Sequence, residues 1–252
     1  MLKEERYDKI LELLEEENYI SAQLLSKRLF VSLPTVRRDL AELQRRKQII
    51  RSHGGAKKVN TDLVVTPLDF RRNRNHGEKR RLCQLAASLI REQQIVFLDA
   101  STTVSQMADF ITKKSVTVVT NSIPLALRLA RNGIKVFATG GEIMWNSLGY
   151  AGSYAEDFVK NFNFDWMFFS STGISEQGSI VDASQEETML RRVVREHSRQ
   201  TVLLCDSTKL RVSAPYNFAP LEDMDLVITN GDPEDALLKK LEKKVLLAPD
   251  MD

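Results

Sequence analysis

Apolar positions in the first sixty residues recur at the spacing of three short amphipathic helices. One run covers residues 7–14 and a second covers residues 22–30. Further on, Val36, Leu40 and Leu43 repeat at the i, i+4, i+7 spacing that places side chains on one helix face. The pattern therefore predicts three helices that pack their apolar stripes together.

Polar residues at the ends of these runs predict where each helix starts and stops. Asn18 ends the first helix, and Ser21 is a good N-cap for the second. Ser32 can cap the third helix, whose first turn tolerates Pro34 because the amide donors there have no intrahelical partners. The second and third helices are thus joined by a tight turn.

The outward face of the third helix has the layout of a DNA-reading surface. At about 100° per residue, burial of the apolar stripe turns Thr35 and Arg38 outward near the start of the helix. That end of such a helix enters the major groove, where Arg pairs with guanine and Thr reaches base edges or a phosphate. Arg37 lies on the flank of this face, so we expect it to contact phosphate.

A hairpin and a local charge excess follow the same helix. Residues 48–59 predict a two-stranded wing that turns at residues 53–55. Residues 26–58 hold ten basic and two acidic side chains, whereas residues 59–252 hold 23 basic and 25 acidic ones. Such an excess is typical of a polyanion-binding surface. A three-helix scaffold without nucleic acid is the alternative, but it leaves the clustering of basic groups unexplained.

The rest of the chain has the alternating pattern of an α/β domain with a largely parallel sheet. Residues 60–81 predict a linker and a basic connecting helix, which either assists DNA or subunit binding or is an exposed interdomain helix. The predicted domains are therefore residues 1–59 for DNA and residues 82–252 for the α/β part. Strands are predicted at residues 95–99, 116–120, 135–139, 165–170, 201–206 and 225–229.

Polar and glycine residues follow these strands at the edge where open α/β sheets bind ligands. Residues 101–103 would open a helix whose free amides and positive end favour an anion. The pair Gly140 and Gly141 would let backbone amides approach that anion, and Lys209 would add a cation. Each feature alone is equally well explained as a cap or a turn, but their joint placement favours a phosphate site.

Composition narrows the function classes. The chain is 42% hydrophobic and 28% charged, which is typical of a globular protein. No run approaches the ~20 apolar residues of a membrane helix, and the charged N-terminus lacks a secretory pattern. We therefore expect a cytoplasmic protein. Cys83 and Cys205 lie in apolar runs and predict buried, reduced thiols. The three histidines lack ligand spacing, so neither a metal site nor a cofactor is expected.

The string VSLPTVRRDLAEL at residues 31–43, followed by HGGA at residues 53–56, resembles the DeoR family of bacterial repressors. In that family the first string forms the recognition segment of a winged helix-turn-helix and the second forms the wing, which implies DNA roles for Ser32 and His53 besides the outward residues. Lys47 and Gln48 stand where many members have a glycine. The predicted DNA-binding residues are Ser32, Pro34, Thr35, Arg37, Arg38, Arg45, Arg51, His53, Lys57 and Lys58.

The resemblance continues through the large domain in LDASTT, VVTNS, the glycine pair and DSTK. It implies a sensor domain that is similar in fold to ribose-5-phosphate isomerase and binds a phosphorylated sugar. Ser101 stands where some members have glycine. The residues that the resemblance places in the effector pocket are Asp99, Ser101, Thr102, Thr103, Asn121, Ser122, Gly140, Gly141, Glu186, Asp206 and Lys209.

These expectations combine into an effector-controlled repressor of a sugar-metabolism operon that binds double-stranded operator DNA. A homo-oligomer, dimer or tetramer, is expected because one module reads few base pairs. By resemblance the effector releases DNA, although the residues alone do not set that sign. The alternatives are a sugar-phosphate isomerase-like enzyme, with Asp99, Glu186, Asp206 and Lys209 as acid-base groups, and a scaffold that only oligomerises. The DNA-binding head favours the regulator over an enzyme.

Overall fold

The computed structural model describes residues 2–17, 19–46, 48–52, 54–58, 68–112, 115–241 and 244–248. They form two compact units that divide between Phe70 and Arg71. We call residues 1–70 the head and residues 71–252 the sensor.

The head is a three-helix unit with a small antiparallel sheet. All three predicted helices are present, and the predicted wing strands pair with a further strand in the order β1-β3-β2. This further strand, β1, was not predicted, because three residues are too few to show a strand pattern. The elements are α1 (Lys3–Glu17), β1 (Tyr19–Ser21), α2 (Ala22–Leu29), α3 (Leu33–Arg45), β2 (Ile49–Ser52) and β3 (Gly55–Lys58).

Caps and apolar stripes hold the head together as the pattern predicts. The Ser21 hydroxyl accepts a hydrogen bond from the Leu24 amide at 3.1 Å, and the Ser32 hydroxyl accepts one from the Thr35 amide at 3.4 Å. The apolar positions of α3 are fully buried and form one cluster with those of α1 and α2. This burial fixes which face of α3 remains outside.

The sensor is built on a seven-stranded sheet in which every neighbouring pair is parallel, in the order β15-β14-β12-β9-β4-β5-β6. All six predicted strands lie in it. The helices are α4 (Leu68–Asn73), which begins in the head, α5 (His76–Ser88), α6 (Ile123–Arg131), α7 (Ser153–Val159), α8 (Gln185–Glu196) and α9 (Ala236–Lys239). The strands of the sheet are β4 (Ile95–Leu98), β5 (Thr117–Thr120), β6 (Lys135–Ala138), β9 (Trp166–Phe169), β12 (Thr201–Cys205), β14 (Leu226–Thr229) and β15 (Val245–Leu247).

Five short strands outside this sheet were not predicted. They form the hairpin β7-β8 and the antiparallel sheet β10-β11-β13, which pairs residues that are distant in the chain. Their bounds are β7 (Glu142–Met144), β8 (Gly149–Ala151), β10 (Gly173–Ile174), β11 (Ser179–Asp182) and β13 (Tyr216–Pro220).

The sensor buries apolar residues on both faces of the large sheet. Phe97 packs in one apolar cluster, while its neighbours Val96 and Leu98 pack in the other, as alternation along a strand requires. Cys83 and Cys205 are free and buried, as predicted, and burial raises the pKa of the Cys205 thiol to about 12. Both thiols are therefore core residues.

Two predictions about the sensor need correction. The segment after β4 is a six-residue 3₁₀ helix, Val104–Asp109, and not the predicted longer helix, so the argument from a helix dipole at residues 101–103 does not hold. The predicted boundary between residues 81 and 82 falls inside α5, whose apolar face is buried in the sensor core. The connecting helix is thus part of the sensor from Arg71 onward.

In the part of the chain that the structure describes, none of the helices combines the length and apolar character needed to cross a membrane.

Candidate functional site

The exposed face of α3 presents two arginines that no described residue neutralises. Arg37 and Arg38 are both exposed, and neither has a hydrogen bond or an ion pair with any residue that the structure describes. Pro34 and Ser32 are exposed beside them at the start of the helix. Thr35 is half-buried, and its hydroxyl lies 2.8 Å from that of Ser32. The start of α3 therefore offers hydroxyls and free guanidinium groups to a ligand.

The far end of α3 differs in its electrostatics. Two N–H groups of Arg45 donate to the Glu42 carboxylate at 2.6 and 2.9 Å, and Arg46 donates to the same carboxylate at 3.1 Å. These two arginines lower the pKa of Glu42 to about 2. Arg45 was predicted to contact DNA, and the structure places it on the exposed surface with its charge already compensated.

A cleft of about 310 Å³ lies between α3 and the base of the wing. Arg37 and Arg51 both line it, together with the backbone at Gly54 and Gly55. Arg51 is exposed and, like Arg37, has no partner among the described residues. The structure therefore brings two of the predicted DNA-binding residues to one concave surface.

The wing explains one glycine of the HGGA string directly. A Cβ at Gly55 would lie 2.3 Å from the carbonyl oxygen of Ile20, so only glycine lets β3 approach β1. Lys57 and Lys58 belong to β3, opposite β2. His53 lies outside the described residues.

On the sensor, the carboxyl end of β4 leads to a buried charge cluster. Asp99 accepts hydrogen bonds from the Ser101 amide at 3.0 Å and from Arg191 Nε at 3.1 Å. Arg191, on α8, also forms ion pairs with Asp182 and Glu187. Burial alone would lower the pKa of the Arg191 guanidinium, but these three carboxylates outweigh burial and raise it.

Sequence reasoning found Asp99 but missed its partners, because the bond between Arg191 and Asp99 joins residues 92 positions apart. The buried acid on α8 is Glu187, and burial raises the pKa of its carboxyl group. The predicted Glu186 is exposed and accepts a hydrogen bond from the Ser184 hydroxyl at 2.9 Å. Glu186 is therefore bonded to Ser184, the N-cap of α8, and is not among the carboxylates paired with Arg191.

The predicted residues after β4 and β5 are all buried, and some have unused polar atoms. The Ser101 hydroxyl accepts from the Val104 amide at 3.1 Å, and the Ser122 hydroxyl caps α6. In contrast, the buried Thr103 hydroxyl and the side-chain carbonyl of Asn121 have no partner among the described residues. Polar atoms without partners are costly to bury, so this edge is suited to a polar ligand.

The turn between β7 and β8 contributes further polar groups to the same edge of the sheet, next to the residues that follow β4 and β5. An added Cβ at Gly149 would lie 2.7 Å from the Ala100 side chain, 3.2 Å from the Ser147 hydroxyl and 3.3 Å from the backbone carbonyl oxygen of Asn121, so these residues converge there. Asn146 and Ser147 are buried and have side-chain oxygens without a hydrogen-bond partner in the described part of the chain. We call Asn121, Asn146 and Ser147 the polar lining.

The glycine pair has a backbone explanation that needs no ligand. Both residues adopt positive φ values, +68° for Gly140 and +110° for Gly141. A Cβ at Gly141 would also lie 2.7 Å from the carbonyl oxygen of Ala151. Their predicted contact with an effector stays a prediction.

The loop after β12 brings Asp206 and Lys209 to the edge, as predicted. The Lys209 ammonium donates to the Ser170 hydroxyl and to the Ser171 carbonyl, both at 2.7 Å. Burial alone would raise the pKa of Asp206, but Lys209, the Thr208 hydroxyl and other donors outweigh burial and lower it. Asp206 is therefore a buried carboxylate that stays ionised.

Two further cations at this edge were missed. Arg71 donates from Nη2 to the Asn146 carbonyl at 2.8 Å, and burial lowers the pKa of its guanidinium. Lys79 is buried, donates to the Arg71 carbonyl, and lies 3.4 Å from the Thr102 hydroxyl. The sequence signal for both was the basic run 71–81, which the pattern assigned either to DNA or subunit binding or to an exposed interdomain helix.

The comparisons with known proteins agree with this two-unit organisation. The DeoR-like helix-turn-helix domain matches residues 6–62, and the DeoR C terminal sensor domain matches residues 74–231. The HTH-type transcriptional repressor GlcR of Bacillus subtilis is 34% identical over 96% of this chain and 94% of its own length. The glycerol-3-phosphate regulon repressor of Escherichia coli is 29% identical over 96% of both chains.

Among solved structures, ribose 5-phosphate isomerase A from Methanocaldococcus jannaschii aligns over 54% of this chain and 55% of its own, with a TM-score of 0.41 and 12% identity. The full-length relatives are named transcriptional regulators. A DNA-binding head with free arginines on α3, joined to a sensor of the matching type, makes this chain a member of the DeoR family of transcriptional repressors.

Proposed function

We propose that this protein represses a sugar-metabolism operon as a homo-oligomer, and that a phosphorylated sugar controls its binding to operator DNA. The observation that carries the effector part is the sensor edge, where the buried Lys79 and the half-buried Lys209 stand beside buried polar atoms that have no partner among the described residues. An anionic, hydroxyl-rich ligand complements both features. The protein works on chromosomal DNA and therefore in the cytoplasm.

The head supports the DNA part of the proposal. Free guanidinium groups at Arg37, Arg38 and Arg51 neutralise phosphates or pair with guanine, whereas arginines already bound to a carboxylate must first break that bond. Arg38 is the predicted base contact, and Arg37 and Arg51 are predicted phosphate contacts from the cleft. One head covers a few base pairs, so two or four heads on repeated half-sites give the required selectivity.

The relatives support the choice of effector class. One is named a glycerol-3-phosphate regulon repressor, and another, from Staphylococcus epidermidis, is named a lactose phosphotransferase system repressor. The sensor of the present chain offers cations for a phosphate and amide and hydroxyl groups for sugar hydroxyls. A phosphate monoester of a small polyol or sugar therefore fits it better than a free sugar.

The test begins with selection of a binding duplex from a random pool by the purified full-length protein. Gel-shift titrations on the selected duplex at fixed salt then include glycerol 3-phosphate, glucose 6-phosphate or fructose 1-phosphate, with glycerol, glucose and fructose as controls. We expect at least one phosphate ester, and none of free glycerol, glucose and fructose, to change the affinity for DNA.

Two outcomes contradict the proposal. If no duplex is enriched above random sequence at low salt, the assignment of the head as a sequence-specific DNA-binding unit is wrong. If free glycerol, glucose or fructose acts as strongly as its phosphate, the assignment of a phosphorylated effector is wrong.

A further inference from the structure

Several buried hydrogen-bond acceptors at the sensor edge have no donor. The side-chain carbonyls of Asn121 and Asn146, the Ser147 hydroxyl and Glu187 Oε1 are all buried, and none of them has a hydrogen-bond partner among the residues that the structure describes. Amide carbonyls and ionised carboxylates only accept hydrogen bonds, whereas a hydroxyl can also donate. Because a buried acceptor without a donor is costly, this set of atoms favours a ligand that donates hydrogen bonds.

Glu187 and the polar lining are neighbours. The helix that carries Glu187, α8, packs against β8, which follows the turn that carries Asn146 and Ser147. Burial raises the pKa of the Glu187 carboxyl group, and the Ser147 hydroxyl is one of the groups that oppose this rise. An added Cβ at Gly149 would lie 3.2 Å from the Ser147 hydroxyl and 3.3 Å from the backbone carbonyl oxygen of Asn121. These residues therefore form one acceptor-rich subsite.

Arg191 holds one oxygen of Glu187 and leaves the other unused. Its Nη2 lies 3.5 Å from Glu187 Oε2, at the long limit of a hydrogen bond, whereas its contacts with Asp99 and Asp182 are shorter. Glu187 Oε1 has no partner among the described residues. Arg191 thus positions Glu187 without using its full capacity to accept.

The subsite is connected to Lys209 by a chain of hydrogen bonds. The Lys209 ammonium donates to the Ser170 hydroxyl, the Ser170 amide donates to Asp99 at 3.3 Å, and Asp99 accepts from Arg191, the partner of Glu187. A phosphate dianion has only acceptor oxygens, so it is attracted to the cation and repelled by the acceptors, whereas a hydroxyl donates to them. The two ends of this edge therefore suit the two ends of a phosphate ester.

From this arrangement we infer that Glu187 and the polar lining bind the hydroxyl groups of the effector, and that they make the sensor selective for a phosphate monoester with hydroxyls on the carbons away from the phosphate. The inference rests on the proposed function and deepens it. It names Glu187, which neither the sequence pattern nor the resemblance singled out, as the specificity-determining residue. An ester without hydroxyls leaves the buried acceptors unsatisfied and binds more weakly.

Isothermal titration of the full-length protein measures this selectivity. The probes are the three phosphate esters named above and ethyl phosphate, which has a phosphate group but no hydroxyl on carbon. The preference is the dissociation constant of ethyl phosphate divided by that of the ester among the three that wild type binds most tightly. We expect a wild-type preference of at least about tenfold, as one charged hydrogen bond to a ligand hydroxyl requires.

Glu187→Gln keeps the size of the side chain and removes its charge. We expect the preference to fall at least about fivefold, because a neutral amide accepts a weaker hydrogen bond than a carboxylate does, while ethyl phosphate binds at least as well as it does to wild type. Burial already disfavours the charged form of Glu187 by raising its pKa, so a neutral side chain is tolerated there. The matched control is Glu196→Gln, an exposed acid on the same helix, which keeps the wild-type preference.

Ser147→Ala provides a readout that a purely structural residue would not give. The change removes a buried hydroxyl that has no partner in the described part of the chain. We expect it to lower the preference about threefold and, in differential scanning calorimetry without ligand, to raise the Tm by about 2 °C. A serine that only stabilises the fold would lower the Tm when it is replaced.

The outcomes separate the inference from the proposed function. If wild type binds a sugar or polyol phosphate no better than ethyl phosphate, or if Glu187→Gln keeps the wild-type preference, the inference is overturned and the proposed function stands. A larger loss of preference in Glu186→Gln than in Glu187→Gln also overturns it, and a fall in Tm for Ser147→Ala overturns the role of Ser147. If wild type binds none of the phosphate esters, the proposed function and the inference both fail.

Discussion

Arg6 on α1 and Asp39 on α3 form a two-pronged ion pair, with Nε to Oδ2 at 2.8 Å and Nη2 to Oδ1 at 3.1 Å. Asp39 is buried, although it stands beside the two exposed arginines of the reading face. The pair therefore anchors the buried side of α3 to α1, away from the exposed face that is predicted to bind DNA.

Replacing Asp39 with asparagine should destabilise the head. The change removes a charged acceptor from two N–H groups of a largely buried guanidinium, and we expect a loss of about 2 kcal/mol in the free energy of unfolding. Urea titration followed by circular dichroism measures it. The matched control is Glu42→Gln on the same helix, whose ion pairs are exposed to water, and a control loss as large as that of Asp39→Asn would contradict the argument.

Arg38 and Arg45 should differ in their importance for DNA binding. Arg38 is free of partners in the described structure, whereas Arg45 is already bound to Glu42. We expect Arg38→Ala to weaken binding to the selected duplex by about 1–3 kcal/mol, and Arg45→Ala to weaken it clearly less. Gel-shift titration at one salt concentration compares them, and equal losses would show that the ion pair of Arg45 does not restrain it.

Effector binding should weaken as pH rises through about 8. Burial, aided by Lys209, Arg71 and Arg74 and opposed by Asp206, lowers the pKa of Lys79 to about 8. A phosphate dianion binds the protonated ammonium better and raises its pKa, so binding takes up a proton near pH 8 and loses affinity above it. The phosphate stays a dianion there, since its second pKa is about 6.

Calorimetry in buffers of different ionisation enthalpy measures that proton uptake, with the phosphate ester that wild type binds. Lys79→Met serves as the control, because its affinity should no longer change between pH 7 and 9. A wild-type affinity that is constant over this range would remove Lys79 from the anion site.

Phe30, between α2 and α3, should be replaceable by glycine with a gain in stability. Its φ is +54°, and its side chain is 94% exposed, so it has backbone strain and no burial to offset it. We expect Phe30→Gly to raise the free energy of unfolding by about 1 kcal/mol. Phe30→Ala keeps the strain and should give no such gain, which differential scanning calorimetry can resolve. A loss of stability in the glycine variant would mean that the aromatic ring packs against a partner in the intact assembly.

The sequence alone determined the parts of this protein that depend on local order. The sequence pattern specified α3, the wing and all six predicted strands of the large sheet. It did so through helix periodicity, serine caps and strand runs, which are set by residues within a few positions of one another. The strand β1 and the pairing of β11 with β13 escaped for the converse reason: these partners lie far along the chain.

The tertiary structure alone decided which charges meet. The bonds of Arg71 to Asn146, of Arg191 to Asp99 and of Asn75 to Asp206 span 75, 92 and 131 positions, and no local pattern encodes such distances. Folding also turned Arg71 and Lys79, from a basic segment that by charge alone suits DNA, toward the interior of the sensor, while Arg72, Arg74 and Arg80 stay exposed. Composition and spacing fix which residues a chain has on each helix face, but burial and pairing energies depend on what the fold packs against that face.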